Sequence, residues 1–133
     1  KARGTPSLIA RLLHPTANDL TILKPRHSAF YASPLSLLLD RMQAKRLIIT
    51  GLATDICVQF TAMDAFLRGY SIEVPADCTA AESPENKQQA LEYMERIMRC
   101  STAPSASLLV PDKPTAGQRR KSQAASAAGQ SVR

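Results

Sequence analysis

The sequence predicts an α/β fold, a parallel sheet covered by helices, and three observations carry that expectation. Short apolar strand candidates alternate with helical periodicities along the chain. Most helix candidates open on a capping residue and stop at a breaker, and the alternation strand, helix, strand, helix is the pattern of parallel crossover units. A length of 133 residues with a hydrophobic fraction of 44% is enough for one domain with a core.

In chain order, Thr5-Pro6 is a cap followed by a first-turn proline, and Leu8, Ile9, Leu12 and Leu13 share a face before His14-Pro15 ends the helix. Leu20 to Leu23 is a short strand candidate. Ser33-Pro34 opens a second helix, with Leu35, Leu38, Leu39 and Met42 at helical spacing. Leu47 to Thr50 reads as a buried strand that ends at Gly51. From Asp55 to Arg68, the set Ile56, Phe60, Met63 and Leu67 repeats at helical intervals, and Gly69 stands where a left-handed terminal residue is wanted. Ser71 to Val74 is another strand, and Ser83-Pro84 caps a last helix with the face Leu91, Met94, Ile97 and Met98.

Charge and cysteine content narrow the function. The net charge is +6, but +4 of it lies from Pro104 onward, where Ala, Ser, Gln and Gly replace large apolar side chains. Such a segment buries too little to offset its ordering entropy, so residues 104–133 are expected to be a disordered basic tail on a domain of residues 1–103. The nearly balanced body does not suggest a nucleic-acid surface, and no apolar run reaches the roughly 20 residues of a membrane span. Cytoplasmic localisation is the default expectation. Cys57, Cys78 and Cys100 are odd in number and widely spaced, which reads as reduced thiols, with no metal cluster and no cofactor expected.

Ligands of open parallel sheets bind beyond the carboxyl ends of strands, so polar groups just after a strand are the first candidates. Cys57 falls in the first turn of the helix after Leu47 to Thr50, where free N–H groups and the macrodipole favour an anion. A thiolate is the nucleophilic form of cysteine. On spacing alone, a buried structural cysteine fits better. Lys24 follows Leu20 to Leu23 directly, and by itself reads as a solvated charge.

Their surroundings change the reading. Lys24 is followed by Ser28-Ala29-Phe30; Gly51, Thr54, Cys57 and Val58 form Gly-x-x-Thr-x-x-Cys-Val; then come Thr61-Ala62, Asp64-Ala65 and Gly69-Tyr70. Val74 to Ala81, which carries Asp77, and Pro15-x-x-x-Asp19 extend the match. In this register the chain resembles the isochorismatase-like cysteine hydrolases, the group related to nicotinamidases and N-carbamoylsarcosine amidohydrolases.

The resemblance implies a Rossmann-like parallel sheet with flanking helices, and a Cys-Lys-Asp triad that cleaves an amide or ureide C–N bond of a small-molecule substrate through a thioester. Cys57 is the implied nucleophile and Lys24 the catalytic lysine. The backbone N–H groups of Ala53 and Cys57 are the implied oxyanion hole, with a cis peptide at Leu52-Ala53. Phe30 and Tyr31 are candidate pocket-lining residues, although an aromatic there is more often core. A homo-oligomer is implied for the full-length protein.

One triad member has no counterpart. The family's aspartate ends its first strand, and the acidic residues before Lys24 reduce to Asp19, a poor substitute. His14 and His27 do not reproduce the metal-binding set of nicotinamidases. The expectation is therefore a C-terminal portion with N-terminal strand missing, inactive alone; a non-catalytic subunit or remnant of the same fold is the alternative. The charge distribution makes one prediction: in a salt-titrated binding assay, nucleic acid binds weakly or not at all, and removing residues after Ala103 abolishes what binding there is.

Overall fold

The fold is described by a computed structural model, which covers residues 8–108. Helix α1 spans Leu8–Leu12 and α2 spans Leu35–Arg41. Strands β1 (Arg46–Ile48) and β2 (Gly51–Leu52) lead into a π-helical turn, Thr54–Val58, that continues as α3 (Gln59–Leu67). Strands β3 (Ser71–Glu73) and β4 (Thr79–Ala80) precede the long helix α4 (Pro84–Met98). The protein is an α/β fold with parallel strands and flanking helices.

Two parallel pairings set the register. β1 runs beside β3 with Leu47 opposite Ile72, and β2 runs beside β4 with Gly51 opposite Thr79. On its other edge β3 is met by the chain after α4: Glu73 bridges Ser101, and the Val74 N–H donates to the Ser101 carbonyl at 2.8 Å. β3 is thus covered on both sides, and its Ile72 and the Val74 that follows it are buried.

Helix α4 forms as the letters suggest. Ser83 at the N-cap accepts from the Asn86 N–H at 3.1 Å, Pro84 occupies the first turn, and Arg99 closes the end with φ +52°. It buries Ala90, Leu91, Met94 and Met98, while Ile97 stays 40% exposed. The core joins these to Val58, Ala62, Ala65, Ile72, Val74, Phe30, Leu39 and Cys100.

Helix α3 departs from expectation in its buried face. Val58, Ala62 and Ala65 are inside, whereas Phe60 is 54% and Leu67 72% exposed and Ile56 is also at the surface. Small side chains let the helix lie close to β3, and of the larger apolar set that marked the helix in the sequence only Met63 packs partly against the core. Gly69, with φ +80°, ends this helix as expected.

A second departure concerns Leu20 to Leu23. The segment is not a strand: it pairs with no strand among the described residues, and Leu20 and Leu23 are exposed. An extended stretch becomes a strand only when a neighbour takes its backbone groups. The Thr5-Pro6 cap lies outside the described residues. Of the expected tail, Pro104 to Leu108 is described: Ser105–Ser107 form a 3-10 turn whose Ser105 N–H and hydroxyl donate to the Asp77 carboxylate at 2.7 and 2.6 Å. Those two donors hold the Asp77 carboxyl below the usual carboxylate range. Residues 109–133 lie outside the described residues. No helix among the described residues is long and apolar enough to cross a membrane.

Met94 is fully buried at the centre of this packing. Met94→Ala is expected to lower the unfolding free energy by about 2–5 kcal/mol in chemical denaturation, the range for a large-to-small core change.

Candidate active site

The site is built where β2 hands over to the π-helical turn. Gly51 has φ +115°, which disfavours any side chain, and the Leu52–Ala53 peptide that follows is cis. The Ala53 carbonyl then accepts from the N–H groups of Ile56 and Val58 at 3.2 and 3.1 Å, closing the turn that carries Cys57. Thr54, wholly buried, shares a 2.8 Å hydrogen bond with Thr79, and the Thr79 hydroxyl donates to the Gly51 carbonyl at 2.8 Å. Since the one Thr79 proton goes to Gly51, Thr54 is the donor in the first bond. The glycine and threonine of the motif therefore fix the turn against β4.

Lys24 arrives from a loop more than thirty residues earlier. Its Nζ donates to the carbonyls of Arg26 and His27 at 3.2 and 3.3 Å and to Cys57 Sγ at 3.4 Å. An ammonium has three protons, and all three are assigned. Cys57 is half-buried and Lys24 exposed.

The loop is held to α3 by its own motif. The Thr61 hydroxyl donates to the Cys57 carbonyl at 2.7 Å and accepts the Ala29 N–H at 3.1 Å. Ser28 hydrogen-bonds the Asp64 carboxylate, which also pairs with Arg68 at 2.6 Å. Burial works to raise the Asp64 pKa, but Ser28 and Arg68 outweigh it and leave the carboxyl below its ordinary range. Cys57, Thr61, Asp64 and Arg68 recur every three or four residues, so one helix face carries the sulfur and every group that ties the lysine loop to it.

The aromatic candidates do not line this site as expected. Phe30 is 5% exposed in the core, with its ring under the Arg68 guanidinium and tilted toward Tyr70. Its alternation with Ser28 buries both, which leaves Tyr31 on the outside at 58% exposure. His27, weighed in the sequence only as a metal ligand, is a further neighbour of the sulfur. Its Nδ1 lies 3.8 Å from Cys57 Sγ and its ring leans on Phe60 at 5.9 Å between centroids. The one signal for it in the sequence is its place between Lys24 and Ser28.

The other candidates are engaged elsewhere. Asp19 accepts from the N–H and hydroxyl of Thr16 at 2.7 and 2.9 Å, and Asp77 is held by Ser105. A cavity of about 450 Å³ lies along β2 and β4, with Leu13, Gly51, Leu52, Cys78 and Thr79 in its wall. It meets the Cys57 turn at Leu52. Among the described residues, no group of three His, Cys, Asp or Glu side chains could hold a metal ion.

Comparison with known proteins gives a consistent picture. Residues 2–105 match the isochorismatase domain. An uncharacterised isochorismatase family protein of Bacillus subtilis, YaaI, is 48% identical over 84 residues, which is 63% of this chain and 46% of the relative. The ureidoacrylate amidohydrolase RutB of Serratia proteamaculans is 40% identical over 81 residues, covering 61% of this chain and 33% of the relative. Among solved structures, the nicotinamidase PncA of Bacillus subtilis superposes with a TM-score of 0.66 at 32% identity, over 75% of this chain and 55% of that one. N-carbamoylsarcosine amidase of Thermoplasma acidophilum gives 0.64 at 32% identity, over 72% and 54%. The matches span between a third and about half of these relatives.

The three free thiols differ in setting. Cys100 is buried, and burial pushes its pKa up to about 11. Near pH 8 only about one thousandth of such a thiol is ionised. Iodoacetamide followed by peptide mass spectrometry should modify half-buried Cys57 at least about tenfold ahead of Cys100.

Proposed function

The chain belongs to the isochorismatase family, and on that premise we propose that it carries the nucleophile and lysine of a cysteine hydrolase acting on an amide or ureide C–N bond of a small molecule. The observation that supports this most directly is the 3.4 Å contact from Lys24 Nζ to Cys57 Sγ. That contact sets an ammonium donor directly against the atom that would attack.

In this reading the Cys57 thiolate attacks the substrate carbonyl carbon. The oxygen takes the negative charge and is received by the N–H groups of Ala53 and Cys57 in the turn after β2. One such donor typically contributes about 3 kcal/mol to the transition state. Collapse breaks the C–N bond, the nitrogen takes a proton from water as it departs as a neutral amine or ammonia, and the acyl thioester left on Cys57 is hydrolysed by water to the acid and the free thiol. Lys24 Nζ, held by the Arg26 and His27 carbonyls, faces the sulfur through these steps.

The substrate class follows from the relatives. Ureidoacrylate, nicotinamide and N-carbamoylsarcosine, for which these relatives are named, are each small molecules with an amide or ureide C–N bond, and we propose a compound of that class here.

The test is release of ammonia or amine from these three compounds, together with a search by mass spectrometry for an acyl adduct on Cys57. The chain without the triad aspartate is expected to turn over slowly or not at all, so the adduct is the primary readout: it is expected to be lost in Cys57→Ala and to form about a hundredfold more slowly in Lys24→Gln, with little change in folding. Turnover that survives Cys57→Ala would overturn the assignment. Absence of both turnover and adduct would favour a non-catalytic subunit of the same fold.

A further inference from the structure

We propose that Thr61 is a positioning residue for this site: its hydroxyl registers the Lys24 loop against the turn that bears Cys57, and so sets the ammonium at the sulfur. The proposal deepens the cysteine hydrolase reading above and rests on it. Thr61 acts through backbone groups, and the argument begins with what one hydroxyl can bond. It has a single proton and two lone pairs. Thr61 gives the proton to the Cys57 carbonyl at 2.7 Å, one turn back along the helix, and takes the Ala29 N–H at 3.1 Å from a segment 32 residues away in the chain.

These two bonds close a ring around the site. Lys24 Nζ rests on the carbonyls of Arg26 and His27, just before Ala29, and from there faces Cys57 Sγ at 3.4 Å. The path from sulfur to ammonium to loop backbone therefore returns through Ala29 and Thr61 to the carbonyl of the same cysteine. An exposed lysine with a long, freely rotating stem does not hold two segments in register by itself, so the backbone beneath it must be placed first.

Other fastenings do not replace this one. The Ala53 carbonyl and the Thr54 to Thr79 bond hold the turn alone. Ser28 accepts the Phe30 N–H within the loop, and its bond to Asp64 meets the helix two turns past Cys57. Among the described residues, Lys24 and His27 reach Cys57 at its sulfur, and apart from them Thr61 is the residue bonded both to the loop and to Cys57 itself.

The test measures the Lys24 to Cys57 spacing directly and needs no substrate. The full chain, Thr61→Ser, Thr61→Val and Thr61→Ala are treated with succinimidyl iodoacetate, a short reagent that joins an amine to a thiol, and the Lys24 to Cys57 link is quantified by peptide mass spectrometry. Thermal denaturation and slow alkylation of buried Cys100 check the fold of each protein. The expected link yield is about tenfold lower in Thr61→Val and Thr61→Ala, and within about twofold of wild type in Thr61→Ser, which keeps the hydroxyl. Adduct formation at Cys57 with the three compounds named above is expected to slow in the same order. Equal link yields in all four proteins, or no link in wild type, would overturn the role. A loss in Thr61→Ser would overturn it too, by assigning the effect to the methyl group, as would rapid Cys100 alkylation in both hydroxyl-free variants, which would make Thr61 a residue of the fold. A wild type that links as expected but forms no adduct with any of the three compounds would overturn the hydrolase reading instead, with the spacing set by Thr61 left standing.

Discussion

One tie determines whether this chain has a site at all, namely that of the Ser28 to Phe30 loop to helix α3. Among the described residues, Lys24 and Cys57 belong to segments that share no sheet pairing. Thr61 and Asp64 join them, by taking the Ala29 N–H and the Ser28 hydroxyl, while Phe30 is buried beside them. Because Thr61 also binds the carbonyl of Cys57, the same hydroxyl that fastens the loop fixes the turn that carries the sulfur. The ion-like contact at 3.4 Å is the outcome of that fastening rather than its cause. An exposed cation and a thiol would add at most a fraction of the energy that those buried hydrogen bonds and the Phe30 ring supply.

Several features were legible from the letters for stated reasons. Ser83-Pro84 and the spacing of Leu91, Met94 and Met98 gave α4 because capping and burial there depend on local pattern alone. Gly69 was readable as a point of positive φ, where the backbone itself selects the residue, whereas Gly51 was read only as the end of a strand. The α/β class followed from alternation, and the family from motifs whose threonines and aspartate turn out to hold the loop and the turn in place.

What stayed hidden depended on partners. Leu20 to Leu23 has strand composition, but composition does not provide a neighbour. The apolar repeat located α3 without showing which face is inside, because the residues it buries completely are the small Ala62 and Ala65. Phe30 was placed at a pocket when its contact with Arg68 and Tyr70 puts it in the core. His27 was weighed only as a metal ligand, since its distance to the sulfur arises from a fold of the loop that no spacing encodes.

The small inner face of α3 has a consequence for how this protein can vary. Ala62 and Ala65 have no accessible surface, and the helix they belong to begins with the turn that bears the sulfur. Their methyl groups act as spacers that set the standoff between helix and sheet. A bulkier spacer would tilt or lift the whole rod, and with it the thiol at its tip, while Thr61 and Asp64 would carry the lysine loop along. Substitution in the interior would thus be felt at the rim between Ala53 and Cys57 before the fold itself gave way, and the chain has less freedom to drift at two unremarkable alanines than at its large exposed hydrophobes.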